Sequence, residues 1–385
     1  MLRTVLLLLT LAEVLNCSKF TMEIFNFQNY SELIHPQRSN FSGREKRATQ
    51  NLITYWNTYY LGYVTIGTPG QGFYLLMDSG SSSIWVASGG CNSPACLGSG
   101  SARKNKKRFN WWLSSTFKLA MENFKFYYGT GEVSGFVGID NVNIGGVTVA
   151  GQKFGIATEI SHWGSTPVGG IFGMGFPKLY AVASPMQNFV RGLPSPYWIM
   201  WINPAVINPT LGQSTGLISF GQLDEKHCRP TWRWVPLSSD SDWQVALSSF
   251  QIGSYYVDTT EALLISTRFV DRPPLGLTKL SITLRTLLST AERHGLESHR
   301  QFSTSTRHRK PELKFAIHGI IYGIASNQYI VNLNHGNNRC VLGFMSTGGG
   351  RFNHGYILGA PWFRSFCNLF NYRDRNMAFS SSIAA

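Results

Sequence analysis

The chain has few charged residues, and acidic ones are the scarcest. Only 14% of its 385 residues are charged, with 20 Asp and Glu against 34 Lys and Arg. Such a composition suits helices rich in Glu and Lys poorly, so a mainly helical class is disfavoured. Glycine and aromatic residues are plentiful, which favours short strands joined by tight turns. The composition therefore predicts a mostly β protein, and the length predicts two or more domains or lobes.

Beyond its amino end, the sequence has no long hydrophobic run, which argues against a transmembrane helix. The apolar stretch from Val5 to Leu15 is too short to cross a bilayer and is typical of a secretory signal peptide, which we predict over residues 1–17. Residues 18–47 are predicted to be a propeptide, because they are polar and end in the convertase-like tetrad Arg44-Glu45-Lys46-Arg47. Export would expose the chain to an oxidising compartment, so its cysteines are disulfide candidates.

The positive charge is concentrated in two segments. Five of the net +14 charges lie within residues 103–108, and residues 268–310 hold nine basic against three acidic side chains. No interleaved aromatic residues or groove-reading motif accompany the first cluster, so a solvated loop is favoured there over a binding patch. We expect no nucleic acid, metal or cofactor to bind, and we predict a monomer.

One short motif carries chemistry. Asp78-Ser79-Gly80-Ser81 follows an apolar strand, and its glycine permits a tight turn that holds the acid in place. The hydroxyls of Ser79 and Ser81 can orient the carboxylate. By itself an Asp-Ser-Gly tripeptide is more often a structural turn, so the context must decide.

The context is a resemblance to the pepsin-like aspartic proteases, peptidase family A1. The segment from Tyr60 to Ser88 is similar to that family almost position by position, with Ser79 where threonine is usual. Further blocks resemble the family at Gly170–Gly175, Trp232–Leu237, Pro311–Phe315, Ser326–Tyr329 and Ile357–Gly359. The segments Asn327–Ile330 and Phe366–Asn368 resemble its nematode branch in particular.

The resemblance implies a fold and a set of site residues. The fold is a bilobal pepsin-like acid protease, with an N-terminal lobe over residues 48–194, a C-terminal lobe over residues 195–385 and a cleft between them. Asp78 is implied as a catalytic acid that acts on protein or peptide substrates. The residues implied to contact substrate are Ser81, Trp85 and, at the flap tip, Tyr128, Gly129 and Thr130. The protein is expected to be made as a zymogen and to be secreted or delivered to a lysosome or vacuole. Its activity is expected to be favoured by acid.

The resemblance also bears on the cysteines. Cys91 and Cys96 match the small disulfide loop that follows the first catalytic strand in the family. Cys228 and Cys367 are candidates for a second bridge, while the usual partner of Cys340 is missing before Pro311. An odd thiol in an exported chain is a warning.

The second half lacks a clear second acid. The family needs two aspartates that share a proton and hold one water. Asp258-Thr259-Thr260 is one candidate, but it lacks the glycine; a second alignment puts Ile265-Ser266-Thr267 in that place, with no carboxylate. Residues 262–310 are anomalous because they do not resemble the family, and a shifted reading frame would produce this pattern. Three alternatives stay open: Asp258 as the second acid, a shifted frame, or an inactive peptide-binding paralogue.

Overall fold

A computed structural model describes most of the chain. The described residues are 19–20, 48–55, 59–98, 106–128, 131–161, 168–177, 184–206, 214–260, 262–265, 311–332, 339–342 and 356–384. The predicted signal peptide, nearly all of the predicted propeptide and residues 266–310 lie outside these ranges. Within them, no helix is long and apolar enough to cross a membrane.

The chain divides into two compact units. One comprises Val245–Leu263 and Arg272–Ile357 with the segment Met1–Ile24, and the other comprises Phe25–Gln244, Leu264–Asp271 and Leu358–Ala385. The predicted lobe boundary at residue 194 falls inside the second of these units. The boundaries of signal peptide, propeptide and lobes stay predictions.

A thirteen-stranded sheet fills the larger unit. Its strands, numbered in chain order, are β2 Ala48–Tyr55, β3 Tyr59–Ile66, β4 Gln71–Asp78, β5 Ile84–Ala87, β6 Lys118–Tyr128, β7 Gly131–Ile144, β8 Val147–Ile160, β9 Gly170–Gly173, β10 Tyr197–Ile202, β11 Ser214–Phe220, β12 Arg233–Pro236, β21 Phe366–Asn371 and β22 Asn376–Ser381. In the order of hydrogen-bonded neighbours the sheet runs β12-β22-β21-β10-β11-β2-β3-β4-β9-β5-β8-β7-β6.

Two smaller sheets lie mainly in the other unit, although Gln244, Leu264, Ile265 and Leu358 at their strand ends belong to the larger one. A six-stranded sheet runs β17-β16-β13-β15-β20 with β14 paired to β13, and a three-stranded sheet runs β1-β19-β18. Their strands are β1 Lys19–Phe20, β13 Gln244–Ile252, β14 Tyr255–Asp258, β15 Ala262–Ile265, β16 Leu313–Ile317, β17 Ile320–Ile324, β18 Ile330–Asn332, β19 Arg339–Leu342 and β20 Tyr356–Leu358.

Helices are short in the described residues, as the composition predicts. The α-helices are Pro94–Leu97, Pro185–Phe189, Ser326–Tyr329 and Ala360–Ser365, and the 3₁₀ helices are Trp111–Leu113 and Val190–Gly192. Three of the α-helices carry proline in the first turn, where the missing N–H has no intrahelical partner to lose.

Aromatic packing forms the core behind the site. Trp243 is fully buried and lies 4.2 Å from Phe176 and 5.1 Å from Phe370, measured between ring centroids. Trp198 stacks on Phe370 at 3.8 Å with the rings nearly parallel. Burying aromatic rings of this size supplies much of a domain's stability, and it fixes the strands that carry the site.

The expected bridge and the candidate bridge are both present. Cys91 joins Cys96, and Cys228 joins Cys367, each with its Cα atoms 5.9 Å apart. The first closes the loop around the helix Pro94–Leu97, and the second ties residue 228 to β21 over a separation of 139 residues. Disulfides of this kind suit an oxidising route for the protein.

The predicted basic loop is only partly solvated. Lys107 is exposed, but Lys106 and Arg108 are half-buried because their side chains turn back onto the disulfide loop. Lys106 Nζ donates to the carbonyl of Ala95 at 2.7 Å, and burial lowers its pKa to about 7. Arg103 and Lys104 lie outside the described residues.

Candidate active site

Asp78 ends strand β4 in a fully buried position. Its Oδ1 accepts a hydrogen bond of 2.9 Å from the backbone N–H of Gly80. Among the described residues, Asp78 Oδ2 and Ser81 Oγ have no hydrogen-bond partner. A buried carboxylate oxygen without a protein donor costs free energy, which is typical of a group that performs chemistry and not of a carboxylate that only caps a turn.

Strand β9 holds the loop from the side. It pairs in parallel with β4, and beyond the end of this pairing Met174 N donates to Asp78 O at 2.8 Å and Gly175 N to Ser81 O at 2.7 Å. Gly173 is needed here, since an added Cβ would lie 2.4 Å from the backbone nitrogen of Ser83. The Gly170–Gly175 block thus allows two backbones to approach closely and fixes the Asp78 turn.

A closed circuit of hydrogen bonds also supports the turn that holds Asp78. Ser79 Oγ donates to the carbonyl of Ile265 at 3.2 Å, and Ile265 N donates to Trp243 O at 2.9 Å. Trp243 Nε1 in turn donates to Met174 O at 3.0 Å. Because Met174 N is bonded to Asp78 O, the circuit returns to the residue beside Ser79. All of these groups belong to the larger unit, so they position Asp78 as a set.

The predicted flap is a long hairpin of β6 and β7. Tyr128 at its end accepts a hydrogen bond of 2.8 Å from Trp85 Nε1, and the two rings lie 6.4 Å apart. Trp85 itself is buried on β5. This bond holds the tyrosine toward the body of the sheet. Gly129 and Thr130 were predicted to contact substrate and lie outside the described residues.

Asp258 has a different environment from Asp78. It is exposed on β14 in the other unit, and its Oδ1 accepts a hydrogen bond of 2.5 Å from the hydroxyl of Tyr256 on the same strand. An exposed carboxylate on a regular hairpin lacks the buried turn that orients Asp78. This environment argues against Asp258 as the second acid.

Ile265 lies beside Ser79, at the place where the family's second catalytic aspartate is expected. Its side chain is fully buried at the end of β15, and residues 266–310 lie outside the described residues. From Ala262 to Arg268 the sequence contains no Asp or Glu. The described residues therefore contribute one buried carboxylate to this site, that of Asp78.

Sequence reasoning missed two contributors. Trp243 holds the circuit through its side-chain N–H and its carbonyl, and Met174, which lies inside the Gly170–Gly175 block, holds it through its backbone N–H and carbonyl. A tryptophan in an otherwise polar stretch, Ser238 to Gln244, was the one available signal. Buried indoles need a partner for their N–H, which makes such a residue a candidate for a structural bond.

Comparison with known proteins agrees with the geometry. The family model described as eukaryotic aspartyl protease matches residues 59–382. Aspartic protease 1 of Caenorhabditis elegans is 30% identical over 369 residues, covering 92% of this chain and 90% of that protein. Cathepsin E of Rattus norvegicus is 27% identical over 359 residues, covering 88% and 84%. Pepsin A of Canis lupus familiaris is 28% identical over 349 residues, covering 86% and 83%.

The family match covers the Asp78 loop, the hairpin ending at Tyr128 and both disulfides. The family also has the mostly β fold class that was predicted from the sequence. The match thereby confirms the aspartic endopeptidase class, for which proteins are the substrates. The chain belongs to the eukaryotic aspartyl protease family.

Proposed function

We propose that this chain is an exported aspartic endopeptidase, made as a zymogen and favoured by acid, in which Asp78 is the first of two catalytic carboxylates. The observation that carries the proposal is the burial of Asp78 with one oxygen held by Gly80 and the other without a partner among the described residues. The disulfides and the signal-like amino end support export to a secreted, lysosomal or vacuolar location.

The chemistry is general acid–base hydrolysis. One carboxylate removes a proton from a bound water while the other protonates the carbonyl oxygen of the scissile bond. Two close carboxylates do not both ionise readily, so they share one proton and the pair works in acid. Asp78 is suited to this role because the surrounding circuit fixes its position and leaves one oxygen available.

Substrate contact is proposed for Tyr128 and Ser81, with Trp85 behind the flap and Gly129 and Thr130 at its tip. The bond from Trp85 Nε1 to the Tyr128 hydroxyl supports a defined flap position. A closed flap excludes water and orders an extended peptide above Asp78. No cofactor takes part in this proposal.

The test is proteolysis by the purified, processed chain. A denatured protein is incubated with it at acidic and neutral pH, with and without a statine-type transition-state analogue. Cleavage in acid that the analogue blocks supports the proposal. No cleavage at any pH, by a chain that still binds the analogue, overturns it.

A second candidate is favoured by Ile265. Its backbone lies against Ser79, and no carboxylate follows it before Asp271 in the sequence. A chain built this way would bind extended peptides without hydrolysing them. Loss of one acid removes general acid–base assistance worth about 10²–10⁴-fold, and more where two groups act as a unit.

Transcript sequencing separates the two candidates. Residues 255–312 are resequenced and read in all three frames for an Asp-Thr-Gly. Finding that motif favours the endopeptidase. A frame that stands as written, with analogue binding but no cleavage, favours the peptide-binding protein.

A further inference from the structure

Three consecutive apolar side chains point into solvent on the larger unit. Trp111, Trp112 and Leu113 form a 3₁₀ helix in which no residue is buried, and they are 40%, 56% and 57% exposed. Single exposed apolar residues are ordinary, but adjacent ones on a soluble protein mark interaction surfaces. We call these three residues the aromatic tip.

The tip is held in place at both ends. On its amino side, Asn110 N donates to Gln71 Oε1 and Gln71 Nε2 donates back to Asn110 O, both at 2.9 Å. On its carboxyl side, Ser115 N donates to Thr68 O at 2.8 Å and Thr68 N to Ser114 Oγ at 2.9 Å. These bonds fix the backbone on both sides of the tip, and the Trp111 ring packs against Phe117 with centroids 5.6 Å apart, so the part of the tip that stays exposed has a defined position on the surface.

Basic side chains adjoin the tip. Leu113 lines the same cleft of about 490 Å³ as Lys106, Lys107 and Arg108. Lys107 is exposed, and the guanidinium of Arg108 donates to the carbonyls of Gly89 and Cys91, which are neutral acceptors. The positive charge on this surface is therefore not cancelled by those contacts.

The sequence around the tip contains no acidic residue. Between Asp78 and Glu122 the sequence has neither Asp nor Glu, and the exposed or half-buried cations in the described part of that stretch are Lys107, Arg108 and Lys118. Lys106 also lies there, but burial lowers its pKa to about 7, and Asp140, which accepts a hydrogen bond from Thr116, is itself buried. A surface that joins positive charge to exposed indoles matches the interface of an anionic bilayer, where lysine meets lipid phosphates and tryptophan lies at the headgroup level.

We propose that the aromatic tip and its basic neighbours dock the protein peripherally on membranes that contain anionic lipid. Insertion of a few apolar side chains combined with several basic contacts is the usual way to hold a soluble protein at a bilayer surface. A sulfated polysaccharide would use the charges alone and leaves Leu113 and two indoles unexplained. The proposal is independent of whether the chain cleaves peptides.

The test is sedimentation of the full chain with vesicles. We expect binding to vesicles that mix phosphatidylserine with phosphatidylcholine, and little binding to phosphatidylcholine alone. The pair Trp112→Ser and Leu113→Ser should lower the bound fraction about tenfold, since each removes apolar area that would otherwise insert. Lys107→Glu should weaken binding and its dependence on salt. Trp234→Ser is the matched control, because Trp234 is 48% exposed on β12, and it should bind as the unaltered chain does.

A second readout reports insertion directly. Lipids brominated on their acyl chains should quench part of the tryptophan fluorescence, and Trp112→Ser should reduce that quenching while Trp234→Ser leaves it unchanged. Three results would overturn the proposal: equal binding by the tip variant, loss of binding in the Trp234→Ser control as well, or retention of the chain by heparin alone with no vesicle binding. A concentration-dependent dimer that Trp112→Ser abolishes, without vesicle binding, would assign the tip to a second copy instead.

Discussion

Ser79 Oγ donates a 3.2 Å hydrogen bond to the carbonyl oxygen of Ile265, across 186 residues of sequence and inside the protein. The bond joins the residue after Asp78, the proposed catalytic acid, to the end of β15, where the second half of the family's catalytic pair is expected. The contribution of this bond to the stability of the protein can be tested whether or not the chain cleaves peptides.

Ser79→Ala should destabilise the protein by about 1–3 kcal/mol, because it leaves the Ile265 carbonyl buried without its donor. Ser79→Thr keeps the hydroxyl and is the matched control. Unfolding by denaturant measures both, and equal stability of the alanine variant and the unaltered chain would contradict the importance of this bond.

Gly173→Ala should prevent normal folding or cost several kcal/mol, since its Cβ would lie 2.4 Å from the Ser83 nitrogen, a backbone atom that cannot turn aside. Gly192→Ala meets nothing within 4 Å and should be close to neutral. Soluble yield and melting temperature compare the two variants. Similar behaviour of both would show that the β9 approach to the Asp78 loop is looser than described.

Trp85→Phe should loosen the flap by removing the 2.8 Å bond to the Tyr128 hydroxyl while keeping most of the ring. Tyr128→Phe removes the same bond from the other side, so the double variant should cost little more than either single change. Affinity for a statine-type analogue is the readout. Fully additive losses would mean that the two residues act separately.

Asp78→Asn should lower the rate of any acid proteolysis at least about 10²-fold, because the amide cannot take part in proton transfer. Asp258→Asn should leave the activity unchanged, as expected of an exposed carboxylate bonded to Tyr256. Initial rates on a denatured protein decide the matter. An Asp258 variant that is inactive but still folded would show that Asp258 is the second acid.

Lys106 should make stability depend on pH above neutrality. Burial lowers its pKa from 10.5 to about 7, so between those values the unfolded chain holds a proton that the folded chain does not. Stability from this group therefore rises as the pH increases from about 7 to about 10.5 and is constant below that window. Lys106→Met lacks the titration, so the unaltered chain should gain on it across the window in denaturant unfolding. A constant difference from pH 6 to pH 10 would contradict the assignment.

Much of the fold could be predicted because local patterns carried it. The strand, turn and strand leading to Asp78, the glycine-tipped hairpin and the proline-started helices each have a short sequence signature. The Cys91–Cys96 bridge came from resemblance to the family, and the structure contains it.

Other parts could not be predicted for physical reasons. A backbone carbonyl is the same in every residue, so no sequence pattern identifies Ile265 O as the acceptor for Ser79. The half-burial of Lys106 and Arg108 depends on carbonyls of the disulfide loop, to which their charges gave no clue. The exposure of Trp111 and Trp112 runs against the usual burial of tryptophan, and only the fold reveals it.

The circuit through Ser79, Met174, Trp243 and Ile265 also has a consequence for synthesis. A ribosome releases residue 79 long before residue 265, so the Asp78 turn emerges without most of the groups that fix it. Closing contacts over such separations is slow. Nascent chains should therefore hold this turn loosely until β15 has emerged, and a translational pause before that point would prolong the interval in which Asp78 is accessible to chaperones.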